Sequence, residues 1–578
     1  MRLTAGILFL TVLMGNWPAF AQDNEKPEAL HYAVSPRAGD PAKGLAIAVS
    51  FLGDADGTTT IILPNHWAGQ ENLWEDIRAL RVSKGKAQLH ETDTPHIYLL
   101  THEPGVPITL TYSVIHPMDS PPLPYGGALY RPQLTADYVH FIGSNVFVIP
   151  EYGNDSGEAD EETPERLISF EWRNFPPDWK FTSSFSTKAR QEPELLQVSS
   201  FKQAVFVAGD VRLRQENIGG ATLNLALRGA WAFSDDEVVQ SLRQTLSAGM
   251  ALWQNQPFKH FTVTLMQDAS ASGSIGGTGL TNSFATYASS DATLAQLQNV
   301  LSHEFLHEWL PGEVGSMSVA KGLGPSLYWF SEGFTDYYTG KILRAGGMID
   351  DQGYADRLNK ILRTYWFSPY RNASNKSITE KFWTVAEIGQ LPYQRGMLLA
   401  LKWDAEISAA SDGRFTLLDV LHAMIKENLL SKANGDKALP FTPKRLQQAI
   451  MAKTGVDISK DLEAVVKTGE TIDVPDRLFS PCLVKTIRNL GTLDYGYQAR
   501  ESRLAGIIQG VDPKGAAYAA GLRDGQVFIK YIDPATDLAK PFRLLVRQND
   551  KEIEISYVPM SKVTRPVPQF ELATELCQ

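Results

Sequence analysis

The stretch Leu301-Ser302-His303-Glu304-Phe305-Leu306-His307-Glu308-Trp309-Leu310 constrains this chain more than any other. The residues from Ala292 onward read as one helix. Asp291 or Thr293 can cap its start, Leu294, Leu297, Leu301 and Phe305 give an apolar stripe, and Pro311-Gly312 stop it. Positions four apart on a helix lie one turn above each other, so His303 and His307 project from one face toward a common point. That is what a tetrahedral zinc asks of two of its three protein ligands. Glu304 sits beside the metal without ligating it, where it can take a proton from a water whose pKa zinc lowers toward about 7. His303 and Glu304 interrupt an otherwise core-facing helix, and a buried, unpaired glutamate there would be costly without a metal or a partner. One Zn2+ is the expected cofactor.

The third ligand must come from elsewhere. Leu310 and Glu313 stand where a metzincin would carry its glycine and third histidine, which excludes that class. Downstream, the spacing of Leu327, Phe330, Phe334, Tyr337 and Ile342 predicts a second helix closed by Gly346-Gly347. Glu332, near its start, is the expected third ligand. Its rivals read as solvated, Glu308 pointing away from the histidine pair and Glu313 lying just past the helix end. Asp336, one turn beyond Glu332, either orients a ligand histidine or is an ordinary helix acid.

His-Glu-Phe-Leu-His-Glu-Trp followed by Trp-Phe-Ser-Glu-Gly-Phe-Thr-Asp-Tyr-Tyr resembles the glycyl aminopeptidase family of zinc peptidases, relatives of the aminopeptidase N group within the gluzincins. Pro392-Tyr393-Gln394-Arg395-Gly396, followed by a helix, resembles that family's Tyr-x-Lys-Gly. The match implies that the Tyr393 hydroxyl donates to the oxyanion of the tetrahedral intermediate, a contact worth about 3 kcal/mol or more. Arg395 replaces the usual lysine and joins the expected substrate-binding residues. The family resemblance also implies small first residues, such as Gly or Ala, in the substrate. Relatives carry a glutamate for the substrate's free amine in a Gly-rich segment. The corresponding stretch, Gly273 to Phe284, keeps the glycines but has no acid. Gly276, Gly277 and Gly279 suit a loop or an edge strand whose backbone pairs with an extended peptide.

At 578 residues, 43% hydrophobic and 21% charged, the chain is long enough for several domains. Residues 1–21, with Arg2, an apolar run from Gly6 to Met14 and Ala19-Phe20-Ala21, read as a secretory signal peptide. No later stretch reads as a membrane span, so a secreted or periplasmic location is expected. A net charge of −11 without basic stripes argues against a nucleic-acid partner. In an oxidising compartment the two cysteines, Cys482 and Cys577, can pair and tie together the ends of the C-terminal segment.

Short alternating apolar runs between turns, such as Leu45 to Phe51, Pro107 to Ile115 and Tyr138 to Ile149, predict an N-terminal β-sandwich region over residues 22–232. Ser234 and Glu237 form a capping box that opens a long helix. A strand, the Gly-rich stretch and the histidine helix then follow, an order that fits a thermolysin-like, mainly helical catalytic domain over residues 233–475. Residues 480–578 resemble a bacterial PDZ domain on the run Leu504 to Val527. Such a domain either captures protein C-termini by strand addition or serves as a rigid shelf. The fold class is therefore multidomain α+β.

These readings converge on a secreted zinc peptidase acting on peptide or protein substrates near a free amino terminus. An endopeptidase fed by the PDZ domain and a non-catalytic peptide-binding protein with a dormant zinc site are the alternatives.

Overall fold

The computed structural model describes residues 29–578 apart from 69, 117–130, 152–164, 257, 269–273, 318–323, 480–481, 534–540, 574 and 576–578. The expected signal peptide, Gly273 and Cys577 lie outside the described residues.

From Ala29 to Gly209 the chain is mostly strand. In Leu45–Leu52 the alternate positions Leu45, Ile47, Val49 and Phe51 are buried, the period-two pattern of a strand with one face on a core. A six-stranded sheet takes Arg190–Gln197, Glu165–Trp172, Ala29–Pro36, Leu45–Leu52, Pro107–Val114 and Ile77–Lys84 in that order, and two four-stranded sheets complete the region. Tyr32, Phe147, Phe170, Phe201 and Phe206 pack ring on ring at its centre. Two details depart from the antiparallel meander that short alternating runs between turns imply. Ala29–Pro36 pairs in parallel with Glu165–Trp172. The run from Tyr138 to Ile149 is not one strand: it breaks in a 3-10 turn at Gly143–Asn145 and resumes as Ile149–Glu151 in another sheet. A Cβ at Gly143 would lie 2.6 Å from the Phe201 carbonyl oxygen, so the crossing needs glycine there.

The sheet that carries the site has five strands, in the order Arg212–Ile218, Ala221–Arg228, His260–Asp268, Ser283–Ser289 and Ile275–Leu280. Ala221–Arg228 pairs in parallel with His260–Asp268, and a parallel pair needs a crossover. The helix Asp235–Trp253 supplies it, with Ser234 and Glu237 capping its start. This corrects the domain boundary expected at 232/233. The two strands from Arg212 to Arg228 are hydrogen-bonded into the sheet of the second domain, so the division falls before Arg212. The Gly-rich strand Ile275–Leu280 pairs only with Ser283–Ser289 and forms one edge of the sheet.

Beyond the sheet the chain is mainly helical. Trp309, Phe330, Phe334, Tyr338, Leu358, Leu398 and Trp403 belong to one core. Leu478, Leu483 and Phe570 pack into that same core. Asn359 clasps the Phe570 backbone, donating to its carbonyl at 2.8 Å and accepting from its N–H at 2.7 Å. The paired strands Cys482–Leu493 and Met560–Leu572 are thus bound to the helical body, and Cys482 is disulfide-bonded. A separate small core, with Tyr497, Ile508, Leu522, Phe542 and Ile555, lies between those strands in sequence. The C-terminal unit is therefore smaller than the expected 480–578. Among the described residues no helix is long and apolar enough to cross a membrane.

Candidate metal centre

The histidine helix runs Leu294–Leu306, with Thr293 and Gln296 as its capping box. Leu297, Leu301 and Phe305 are buried and fix its rotation against the sheet. The helix is shorter than the sequence suggests. His307 is its C-cap residue, and turns follow to Val314. His303 and His307 still share a face, their ring centroids 4.9 Å apart.

The glutamate helix, Tyr328–Ala345, brings Glu332 against both imidazoles. Glu332 Oε2 lies 3.2 Å from His303 Nε2 and 3.5 Å from His307 Nε2. The other ring nitrogens are occupied: His303 Nδ1–H donates to Asp336 Oδ1 at 3.1 Å, and His307 Nδ1–H donates to the Leu310 carbonyl at 2.9 Å. Both Nε2 atoms therefore face the carboxylate. One donor atom from each of His303, His307 and Glu332 falls within a 4.8 Å cluster. Two imidazoles and one carboxylate oxygen, with their outer nitrogens tied down, form a donor set that fits zinc.

The electrostatics are tightly coupled. Burial pulls the His303 pKa down, but Asp336 and Glu332 outweigh it and raise it to about 10. Burial pushes the Glu332 carboxyl up, yet His307 and His303 together hold it well below the usual carboxylate range. Glu304 is raised, mainly by burial, and accepts a hydrogen bond from the Gly279 backbone N–H.

These groups open onto a cleft of about 910 Å³. Glu304, His307, Glu332 and Tyr393 line it, as do Gly277 and Gly279 of the edge strand. A Cβ at Gly279 would sit in ordinary contact, 3.6 Å from Glu304 Oε2, so the strand runs directly beside the carboxylate. Tyr393 lies in the first turn of the tyrosine helix, Leu391–Ala410, its ring centroid 6.0 Å from that of His303.

Three expectations are corrected here. Gly276 is not part of the cleft wall, which the edge strand lines from Gly277 onward. Arg395 is not a substrate contact. It is 1% exposed and donates to the Arg371 and Ala373 carbonyls at 3.0 and 2.8 Å. Two residues along a helix is a rotation of about 200°, so Arg395 must leave the face that Tyr393 occupies. Glu308 and Glu313 are not simply solvated, since both line the cleft. Burial, together with the nearby Glu313 charge, pushes the Glu308 carboxyl up to about 7. What turns Glu308 into the cleft is the end of the helix at Leu306, a boundary that periodicity alone did not reveal.

Residues 296–391, which take in most of the histidine helix and all of the glutamate helix, match the family model of the M61 glycyl aminopeptidases. No curated protein sequence matches the chain significantly. Among solved structures, an aminopeptidase N family protein from Idiomarina loihiensis is similar at 16% identity and a TM-score of 0.66, over 94% of this chain and 98% of that one. An M1 zinc metallopeptidase from Deinococcus radiodurans is similar at 15% identity and a TM-score of 0.49, over 78% of this chain and 95% of its own. The fold is thus that of the aminopeptidase N family, and the family match over the two site helices suggests a zinc metallopeptidase.

Proposed function

We propose that this chain is a secreted zinc aminopeptidase that releases small amino-terminal residues from peptides. The observation that carries the reading is the convergence of His303, His307 and Glu332 within 4.8 Å beside a cleft lined by His307, Glu332, Glu304 and Tyr393. His303, His307 and Glu332 would hold one zinc ion, and Asp336 would orient His303. Bound zinc supplies Lewis acidity, which polarises the scissile carbonyl and makes water nucleophilic at neutral pH. Glu304 takes the proton of the attacking water and returns it to the departing amine as the C–N bond breaks. The Tyr393 hydroxyl donates to the oxygen on which negative charge develops. The edge strand at Gly277 and Gly279 offers backbone partners to an extended substrate. The free amine finds no acid on that strand, and Glu308 and Glu313 are the carboxylates of the cleft wall that remain for it.

Metal analysis with a panel of aminoacyl anilides tests the reading. One zinc per chain and turnover that disappears in Glu304→Gln with zinc retained are expected. A metal-free or inactive wild type would defeat it.

The missing acid in the Gly-rich strand favours a second reading, an endopeptidase whose C-terminal PDZ-like unit delivers substrates. Cleavage of amino-blocked peptides as fast as free ones, together with binding of carboxyl-terminal peptides to the full chain, would select it.

A further inference from the structure

We propose that Arg357 is a positioning residue for the metal centre, acting through Asp336 on His303. This rests on the reading of His303 as a zinc ligand. Arg357 belongs to the helix Asp351–Phe367 and is not part of the cleft wall. Its guanidinium nevertheless ties together the two helices that carry the cluster. One terminal nitrogen donates to Asp336 twice, to Oδ1 at 3.2 Å and to the backbone carbonyl at 3.3 Å. The other donates to Asn299 Oδ1. Asn299 stands one turn before His303 on the histidine helix, and Asp336 stands one turn after Glu332 on the glutamate helix. The oxygen that accepts from Arg357 is the same one that accepts from His303 Nδ1.

The consequence is mechanical and electrostatic together. A ligand histidine presents the correct nitrogen to its metal only if the other nitrogen is held. Asp336 holds it, and an aspartate carboxylate, free to turn about two side-chain bonds, needs holding in turn. Arg357 does this by holding Oδ1 while itself anchored to Asn299 and to the Asp336 backbone carbonyl, which keeps the carboxylate turned toward His303. Its charge also offsets the crowding of Glu304, Glu332 and Asp336 around one imidazole. Asp336 lies in ion-pair range only of His303 and Arg357 among the described residues.

The fold makes room for this side chain. Gly340, one turn beyond Asp336, leaves a gap in the glutamate helix. A Cβ there would lie 3.4 Å from Arg357 Nε and 3.0 Å from the Tyr354 ring. The Arg357 Nε is buried and finds no acceptor among the described residues, a cost tolerated while both terminal nitrogens are engaged. Lysine cannot substitute, because a single ammonium lacks the planar fork that reaches Asn299 on one side and the Oδ1 and backbone carbonyl of Asp336 on the other.

Zinc affinity, measured by competition with a chelator on the full chain, tests the proposal. Arg357→Met and Arg357→Lys should each weaken zinc binding roughly 10–100-fold, as losses of such outer partners do. Asp336→Asn should do the same, and the double variant Arg357→Met/Asp336→Asn should be no weaker than Asp336→Asn alone. Replacement of zinc by cobalt should show an altered visible spectrum in Arg357→Met, reporting a changed ligand geometry. If Arg357→Met does not fold, Asn299→Ala removes one anchor and keeps the charge, and should still weaken zinc binding by a smaller factor. Wild-type zinc affinity in both the arginine and asparagine variants would overturn the proposal, as would strictly additive losses in the double variant. A wild type that binds no zinc would instead overturn the reading beneath it.

Discussion

Gly333 and Gly396 touch backbone to backbone: a Cβ on Gly333 would lie 2.4 Å from the Gly396 Cα, and one on Gly396 would lie 1.7 Å from the Trp329 carbonyl oxygen. The glutamate and tyrosine helices therefore cross without side chains between them. Glu332 and Tyr393, each close to a crossing glycine in sequence, face the same cleft as a result.

Gly396→Ala should consequently damage both fold and site. Forcing a methyl into close-packed backbone costs about 1–3 kcal/mol or more. A clear drop in the thermal midpoint, with activity falling more than the folded fraction explains, is the expected outcome. An unchanged midpoint would show that the helices can separate freely.

Glu304→Gln keeps the volume of the side chain and removes the base. Turnover should fall about 10²–10⁴-fold, the range of a positioned proton-transfer group, while zinc content stays at the wild-type level. Loss of the metal in this variant would place Glu304 among the ligands instead.

Tyr393→Phe removes a single hydroxyl from the cleft wall. A loss of about 10²–10³-fold in kcat with little change in KM is expected of a donor used only in the transition state. A raised KM with kcat unchanged would make Tyr393 a ground-state contact.

Glu308→Gln tests where a free amine is held. Loss of a charge-assisted hydrogen bond is worth about 1.5–3 kcal/mol, so kcat/KM for aminoacyl anilides should drop roughly 10–100-fold. Hydrolysis of amino-acetylated peptides should be unaffected. The same loss on both substrate types would remove Glu308 from amine recognition.

His140 should make the protein acid-labile independently of the metal centre. It is fully buried, with Thr264 Oγ1 3.1 Å from Nε2 and the Tyr287 hydroxyl 3.0 Å from Nδ1, and burial holds its pKa down to about 3. An unfolded histidine titrates near 6.5. Between these values the unfolded chain binds a proton that the folded chain does not. Stability present above pH 6.5 is therefore lost as pH falls toward 3, by at most about 1.4 kcal/mol per pH unit for this one group. Denaturant titrations at several pH values should show a shallower acid limb in His140→Gln, and an unchanged slope would remove His140 as its origin.

The parts of the site that could be read in advance share one property, a geometry set within a few residues. The spacing of His303 and His307 and the apolar stripe of Leu297, Leu301 and Phe305 follow from helical periodicity. The same reasoning carried further would have excluded one expected contact. Arg395 lies about 200° around the helix from Tyr393. Glu308 was misread for a different cause, since the helix ends at Leu306 and the next residues turn. Arg357 left no trace in any motif, because its partners Asn299 and Asp336 stand 58 and 21 residues away.

Sequence alone determined the local elements: the capped histidine helix, the alternating N-terminal strands and the residue types able to hold a metal. Tertiary structure decided which of these meet. The Gly333–Gly396 crossing, the parallel pairing that draws Ala221–Arg228 into the second domain, and the guanidinium spanning two helices all join residues far apart along the chain. Such contacts form only when packing compensates the entropy of closing the intervening loops, and no local periodicity encodes that balance.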